Sequence, residues 1–260
     1  GRYYPERVDD VAWENDLTAF RAYGPALQET GERAFGYDIW TKYNTTEPVV
    51  EARYEGELNP DMKAKIAELG KTDPKAAQEL YHSVSYHVDH GNGLDCYKVG
   101  PTLGGGTTAL MAGDTIVYPY CYATQEILDN GPLRFTVKLV YNPLVVKGDS
   151  TIIETRIITL DAGSYCNKTV VSYTNLKETM PLAVGIVLHE PDGAIVADAA
   201  NGYMTYVDPT DNAGGDNGKI FVGAAFPTLV KEAKAVLFPE KEKKELRGGA
   251  DGHVLAISEY

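Results

Sequence analysis

Hydrophobic and polar residues alternate with a period of two over much of the chain, which is the pattern of half-buried β-strands. The clearest example is 133–141 (LRFTVKLVY), and 151–160 (TIIETRIITL) follows it after a run of turn residues. Consecutive strands separated only by Gly, Asp, Asn and Pro predict antiparallel pairing, and hence an all-β sandwich rather than a doubly wound sheet. Further strands are predicted at 169–174, 181–189, 194–199, 202–207, 218–226 and 253–260.

One segment in the first half departs from the strand pattern. Asn59 before Pro60 is a signal for the start of a helix, and Asp73 before Pro74 repeats that signal. Between the two signals, apolar residues recur at helical spacing. We therefore expect a short helical insertion at about 59–81, beside the antiparallel sheets.

Size and charge limit the domain organisation and the classes of partner. The chain has 260 residues, 43% of them hydrophobic, which is enough for a large core and fits one domain over 1–260. Its formal net charge of -13 does not favour the binding of nucleic acid or of an anionic membrane, both of which are negatively charged. We expect neither as a partner, and the oligomeric state stays open. An acidic substrate must be met by local Arg and Lys side chains.

The start of the chain and its cysteines bear on the cellular compartment. The sequence begins at Gly1 within an Arg-Tyr-Tyr-Pro context, so we expect an export signal to have been removed and the protein to be periplasmic or secreted. Cys96, Cys121 and Cys166 are odd in number and unrelated in spacing, which predicts neither a disulfide framework nor a metal motif. We expect three buried thiols.

The densest group of chemically active residues is 82–98, which contains three of the five histidines. His87 and His90 are candidates for acid–base catalysis, with Asp89 or Asp95 accepting the distal N–H and fixing a tautomer. The same segment offers a divalent metal site, since His87, Asp89 and His90 supply imidazole and carboxylate ligands. A third interpretation is that these side chains form hydrogen bonds that stabilise turns. The sequence leaves all three open and requires no cofactor.

The N-terminal segment 6–25 is rich in side chains of the kind that recognise sugars. Arg21 can hold a carboxylate through two parallel hydrogen bonds, while Trp13 and Tyr23 offer stacking faces. The aromatic rings are equally typical of a core, and a lone His189 after an apolar strand is typical of a turn. The candidates for substrate binding are Trp13, Asn15, Tyr23, Trp40, Lys42, Lys98 and His189.

Four motifs together resemble a family catalogued as a domain of unknown function in bacterial polysaccharide-utilisation gene clusters, which includes the oligosaccharide dehydratases of the ulvan pathway. They are ERVDDVAWENDLTAFRAYGPAL, GYDIWTK, YHVDHGNGLDCYKVGPTLGGG and GIVLHE. The resemblance implies a β-sandwich-like enzyme that eliminates water from a terminal uronic acid of an acidic oligosaccharide. The product would be a 4,5-unsaturated uronate.

Such an elimination requires a cation on the substrate carboxylate, a base at C5 and an acid at the C4 oxygen. On the residues of this chain, the resemblance suggests Arg21 with Lys42 or Lys98 for the carboxylate, and His87 and His90 for the base and the acid. The further catalytic candidates are Tyr97 or Tyr86 as an alternative proton carrier and Asp89 or Asp95 as orienting residues.

Three other functional classes fit the same residues. A polysaccharide lyase uses the same elimination chemistry with a sugar as the leaving group. A glycoside hydrolase needs two opposed carboxylates, for which Glu14, Asp16, Asp89 and Asp95 are available. A non-catalytic carbohydrate-binding protein is favoured if the two histidines are buried or point apart.

Overall fold

A computed structural model describes residues 1–43, 46–211 and 217–260. In these ranges β-strands dominate and pair antiparallel in four sheets, which confirms the mainly β fold class and is consistent with a sandwich-like arrangement. The strands are β1 (Arg2–Tyr4), β2 (Asp10–Glu14), β3 (Thr18–Ala22), β4 (Asp38–Lys42), β5 (Gly93–Asp95), β6 (Gly105–Ala112), β7 (Thr115–Val117), β8 (Tyr122–Asn130), β9 (Arg134–Tyr141), β10 (Leu144–Val146), β11 (Asp149–Asp161), β12 (Lys168–Thr174), β13 (Pro181–Leu188), β14 (Ile195–Asp198), β15 (Tyr203–Asp208), β16 (Ile220–Ala225), β17 (Glu232–Leu237) and β18 (Gly252–Glu259).

The order of strands in the sheets follows the order of the chain closely. The first sheet has the order β1-β2-β3-β4-β5, and the second has the order β10-β11-β9-β8 with β12 also paired to β11. The third has the order β17-β18-β13-β6-β7, and β14-β15-β16 form the fourth. Most neighbours are therefore hairpin partners, as the short turn-rich spacing between predicted strands indicated.

The predicted helical insertion is present and begins earlier than expected. Asn59 accepts a hydrogen bond from the Met62 N–H at 3.0 Å, and Asp73 accepts one from the Ala76 N–H at 3.0 Å, so both predicted helix starts are confirmed. A preceding helix was not predicted. No helix in the described part of the chain is long and apolar enough to span a membrane. The helices are α1 (Pro25–Glu29), α2 (Val49–Glu57), α3 (Pro60–Gly70), α4 (Pro74–His82) and α5 (Glu240–Leu246).

Two groups of apolar contacts hold the sheets face to face. The Trp13 ring stacks on Phe20 of the same sheet at a centroid distance of 6.0 Å and, between the first and second sheets, on Phe135 at 6.1 Å. Between the third and fourth sheets, Ile186 packs in one buried cluster with Tyr206. Each group joins inward-facing residues of two sheets, which is how sandwiches form their cores.

The three cysteines are all free. Cys96 and Cys121 are buried, as expected, whereas Cys166 is exposed. The expectation of three buried thiols is therefore wrong for Cys166, which lies in the turn between β11 and β12 rather than on a strand.

A fully buried ion pair lies on the inward face of β11. Alternate residues of β11 face inward, and two of them, Glu154 and Arg156, are fully buried and hydrogen-bonded to each other. The Arg156 guanidinium also donates to the Thr108 carbonyl of β6 at 3.1 Å and lies 4.3 Å from the Tyr141 ring centroid. The pair thus links β11 to a strand of another sheet.

We predict that replacing Arg156 alone with Met destabilises the protein by about 3–5 kcal/mol, because it leaves the Glu154 carboxylate buried without a counter-charge. The double variant Glu154→Leu/Arg156→Met should recover most of this loss, because an apolar pair needs no compensation. Urea unfolding measures both free energies. Arg134→Ala, which breaks the exposed ion pair between Arg134 of β9 and Asp161 of β11, is the control and should barely change the midpoint. Equal losses for Arg156→Met and Arg134→Ala would contradict the prediction.

Candidate functional site

Arg21 lies at the centre of a buried charged cluster in the first sheet. Its Nη2 donates to Asp38 and, at 3.1 Å, to Asp95, while its Nη1 lies 3.8 Å from Asp10. The three carboxylates come from β4, β5 and β2, the strands next to β3 or one further along the sheet. Arg21 also donates to the Tyr23 hydroxyl at 3.1 Å and to the Tyr54 hydroxyl at 3.3 Å.

Burial is the main influence on the acids of this cluster. It raises the pKa of Asp10 to about 6, against the opposing charges of Arg21 and Arg7. It also raises the pKa of Asp38, and it raises that of Asp95 well above the usual range with a further contribution from the Asp38 charge. The cluster therefore holds protons that isolated aspartates would release.

These contacts leave Arg21 no exposed donor for a substrate. The residue is 3% exposed and is surrounded by carboxyl and hydroxyl groups of the protein itself. The predicted role of Arg21 as the ligand of a substrate carboxylate therefore has no support in this geometry. Tyr23, a predicted sugar-stacking residue, receives the Arg21 hydrogen bond, with the guanidinium 4.7 Å from its ring centroid.

His87 lies in the turn that follows α4 and is half-buried, with 34% of its side chain exposed. Its Nδ1 is 3.1 Å from the Asp95 carbonyl oxygen and 3.9 Å from the Asp95 carboxylate. A carbonyl oxygen can only accept, so Nδ1 is the donor in this contact. Nε2 has no hydrogen-bond partner within 1–43, 46–211 or 217–260. The expected orienting contact from the Asp95 side chain is replaced here by one from the Asp95 backbone carbonyl.

His90 does not share this environment. It is exposed, and its Nε2 lies 3.0 Å from the Ser85 carbonyl oxygen, which is a contact within the segment that also carries His87. Asp89 accepts hydrogen bonds from the Tyr43 hydroxyl at 2.7 Å and from the Gly91 N–H at 2.8 Å. His87, Asp89 and His90 therefore face three different partners. Among the described residues, no group of three His, Cys, Asp or Glu side chains could hold a metal ion.

A second histidine–aspartate pair lies at the end of the third sheet. His189 follows β13, and its Nδ1 is 2.6 Å from the Asp208 carboxylate, which ends β15 and is fully buried. The Tyr206 hydroxyl accepts hydrogen bonds from the backbone N–H groups of His189 and Glu190, at 3.2 and 3.0 Å. Both the ring and the backbone of His189 are thus fixed, and its Nε2 has no partner in the described ranges.

One backbone contact joins the segments that follow the two pairs. The Asp211 N–H donates to the Cys96 carbonyl at 2.7 Å, which joins the segment after β15 to the segment after β5. The Asp211 charge also contributes to the raised pKa of Asp95, and burial is the larger cause. The residues His87, Asp95, Asp208 and His189 are called the two-histidine edge below. Sequence analysis had placed His189 only as a binding candidate.

Several predicted sugar-binding residues lie in the core instead. The Trp13 ring is 1% exposed, and its Nε1 donates to Asn167 at 2.9 Å. Trp40 is fully buried against Tyr54 and Tyr86. Neither indole has an open face for a sugar, so these two assignments are corrected to core packing.

Polar candidates near the N-terminus are used in local structure. The Asn15 side chain accepts from the Thr18 N–H at 2.9 Å and donates to the Asp161 and Ser164 carbonyls, both at 2.7 Å. Lys42 is buried and donates to Glu14 at 2.7 Å. Because Glu14 in turn accepts from the first N–H groups of α2, this ion pair caps a helix and is not open to a substrate.

The last two candidates differ from each other in exposure. Tyr97 is buried and donates its hydroxyl hydrogen to the Gly104 carbonyl at 3.1 Å, so the predicted role as a proton carrier is replaced by a core hydrogen bond. Lys98 is exposed and is the predicted cation that remains open to solvent.

Two cavities lie away from the two-histidine edge. An enclosed one of about 10 Å³ is bordered by Tyr23 and Tyr141, and an open one of about 280 Å³ lies between α2 and α3. Neither cavity is lined by His87 or His189.

Sequence reasoning missed Asp208, although a signal for it was present. In β15, Met204, Tyr206 and Asp208 share one face by period two, and all three are buried. An acid on an inward face needs a partner, and His189, at the end of the preceding long apolar strand, was one candidate for it. Asp10 and Asp38 are also buried acids on strands, so the same argument applies to them, although less strongly.

A family model described as a domain of unknown function, DUF4861, matches residues 1–260. The chain belongs to the DUF4861 family. Uncharacterized protein P7 of Formosa agariphila is 29% identical over 212 residues, which make up 79% of this chain and 47% of that protein. This DUF4861 chain thus spans about half the length of that relative. No solved structure matches the chain.

Asp10→Asn tests the effect of the buried acids on stability. Above pH 3.8 the unfolded chain has lost the Asp10 proton, but the folded protein keeps it until about pH 6, so stability falls as the pH rises through this window. Asparagine stays neutral and can still accept from the Gly24 N–H, so we expect the variant to be more stable than the wild type at pH 7, by on the order of 3 kcal/mol, and similar at pH 4.

Urea unfolding at a series of pH values between 4 and 7 measures this difference. Asp192→Asn, on an exposed turn, removes the same charge and should leave the pH dependence unchanged. An Asp10→Asn variant with the pH slope of the wild type would show that Asp10 ionises normally in the fold.

Proposed function

We propose that this protein is a dehydratase that eliminates water from a terminal uronic acid of an acidic oligosaccharide and leaves a 4,5-unsaturated uronate. The observation that carries the proposal is the His189–Asp208 pair, in which a buried carboxylate holds Nδ1 at 2.6 Å and Nε2 stays open. The substrate class comes from the resemblance of the sequence motifs to the oligosaccharide dehydratases of the ulvan pathway.

The reaction needs two proton transfers at one sugar ring. A base removes the C5 proton, the released electron pair forms the C4–C5 double bond, and the C4–O bond breaks as an acid protonates the departing oxygen to water. A negative charge develops on the carboxylate at C5 while the proton leaves, so a nearby cation lowers the barrier.

The two-histidine edge offers a group for each transfer. His189 suits the base, because Asp208 stabilises the imidazolium that forms when Nε2 takes a proton. His87 suits the acid, because the Asp95 carbonyl fixes its Nδ1–H and directs the exchange of protons to Nε2. In this scheme His90 shapes the turn that carries His87 and does not act on the substrate.

Hydrolysis is a weaker proposal because candidate carboxylates for it are engaged within the protein. Glu14 binds Lys42 and caps α2, and Asp95 lies in the Arg21 cluster. Asp16 accepts from the Gly163 N–H at 2.8 Å. A pair of free, opposed carboxyl groups is what a glycosidase requires.

The proposed enzyme works without a cofactor, outside the cytoplasm, as a periplasmic or secreted protein of a polysaccharide-utilisation system. Its net charge of -13 supports a small saccharide partner rather than nucleic acid. A lyase that releases a sugar instead of water would use the same residues, so the identity of the leaving group is decided by the products.

We predict that His189→Gln and His87→Gln each lower turnover by about 10²–10⁴-fold, because each removes one proton-transfer group. The assay follows absorbance of the unsaturated uronate together with mass spectrometry, on saturated uronate-ended oligosaccharides from ulvan, alginate and pectin. Loss of one water with rising absorbance marks dehydration, and two shorter products with the same absorbance mark a lyase.

His82→Gln is the matched control, since His82 is on the surface of α4, where its ring lies near Gln78 and Tyr81. It should leave turnover unchanged. Normal turnover in both His189→Gln and His87→Gln would refute the assignment of the site, while binding without any product would favour a non-catalytic carbohydrate-binding protein.

Asp208→Asn separates orientation from proton transfer. Asparagine keeps the size of the side chain but can present an N–H to Nδ1, which favours the wrong imidazole tautomer. We expect turnover to fall by at least about 10²-fold while oligosaccharide affinity changes little. Calorimetric titration measures the affinity. An unchanged turnover would mean that Asp208 only stabilises the fold.

A further inference from the structure

The proposed elimination requires a cation for the substrate carboxylate, and Arg21 is committed to three carboxylates of the protein. A second arginine, Arg7, lies close to the same cluster. It follows β1 in a short 3-10 turn and is 9% exposed. Its charge acts on both Asp10 and Asp95, which places it beside the cluster but outside the set of Arg21 contacts.

Arg7 is buried without a close carboxylate of its own. Its Nη2 donates to the Tyr86 hydroxyl at 3.3 Å, and the Glu32 carboxylate is 3.7 Å from Nη2. Within 1–43, 46–211 and 217–260 these are the polar side chains in direct contact with its guanidinium. By contrast, Arg21 has a carboxylate oxygen of Asp95 at 3.1 Å and a hydrogen bond to Asp38.

A guanidinium group has five donors, and removing it from water is costly unless they are satisfied. One long hydrogen bond to a neutral hydroxyl and one loose ion pair compensate only part of that cost. Glu32 is half-exposed, on the loop after α1, so the contact is on the solvent side of Arg7 and can be exchanged for another carboxylate. A buried cation of this kind is suited to a bidentate anion.

The position of Arg7 relates it to the proposed chemistry. Tyr86, which receives the Arg7 hydrogen bond, has its ring centroid 4.5 Å from that of His87. Arg7 also lowers the pKa of Asp95, against the larger effect of burial, and the Asp95 backbone holds His87 Nδ1. A carboxylate bound at Arg7 would therefore be separated from His87, a proposed proton-transfer group, by the Tyr86 ring.

We propose that Arg7 is the specificity-determining residue that binds the carboxylate of the uronate substrate, and that Glu32 occupies this position until the substrate displaces it. The inference rests on the proposed function for its choice of a uronate, but the binding step is independent of any turnover. It replaces Arg21 with Arg7 as the cation at the substrate.

The test compares binding of two oligosaccharides that differ only at the terminal sugar, one ending in glucuronate and one in glucose. Calorimetric titration with Arg7→Gln should show roughly a 10- to 100-fold loss of affinity for the glucuronate-ended oligosaccharide, the size expected for a lost charged hydrogen bond. Affinity for the glucose-ended oligosaccharide should not change. Arg7→Lys should recover part of the loss, because it keeps the charge but not the two-pronged geometry.

Glu32→Gln provides a second test with the opposite sign. It is a surface variant that removes the competing carboxylate, so it should tighten binding of the glucuronate-ended oligosaccharide and leave the glucose-ended one unchanged. Arg33→Gln, at the next position on the same exposed loop, is the control for loss of an arginine and should leave both affinities unchanged.

The outcomes separate this inference from the proposed function. Glucuronate-dependent binding that responds to Arg7 and Glu32, with no loss of water, would support the inference and refute the dehydratase. Turnover by the wild type with unchanged affinity in Arg7→Gln and Glu32→Gln would support the dehydratase and overturn the role of Arg7. Equal binding of the two oligosaccharides by the wild type would also overturn it.

Discussion

The guanidinium group of Arg21 connects four consecutive strands of the first sheet, β2 to β5. Its contacts reach Asp10, Asp38 and Asp95, which come from strands on both sides of β3. Short strands of three to five residues offer few backbone hydrogen bonds each, so a shared buried charge adds a constraint on their register. The cost of burying so many acids is reduced because some of their protons stay bound in the folded state.

The two-histidine edge depends on this cluster through Asp95. The carboxylate of Asp95 binds Arg21, while its backbone carbonyl holds His87, so a shift of β5 would move the imidazole. The other half of the edge is placed by β15 of a different sheet, through Asp208. In β-sandwiches, loops from the ends of different strands commonly carry binding and catalytic residues.

The sequence predicted β9 and β11 well because both are long and largely alternate between buried and more exposed residues. In the same half of the chain, β17 was not predicted. Both helix starts at Asn59 and Asp73 were also predictable, since a cap is a local interaction between residues three apart. The roles of Trp13 and Trp40 were not predictable in this way. An aromatic ring on a strand is compatible with a core and with a sugar platform, and only the packing of a second layer decides between them.

Charged residues were the hardest to interpret, for a related reason. Arg21 and Lys42 have the chemistry to bind a carboxylate, but their partners are acids from distant parts of the chain that meet them only after folding. The His189–Asp208 pair, nineteen residues apart, was hidden in the same way. Spacing along one strand predicts which side chains point inward, and it does not predict which of them meet across sheets.

The helical hairpin of α3 and α4 is attached to the body by few buried groups. No side chain of α3 is buried, and α4 buries only Ala77. The hairpin nevertheless ends at His82, just before the turn that carries His87. Its length and surface charge can therefore diverge among family members without disturbing the sheets, so evolution can change what approaches this turn while the fold below stays the same.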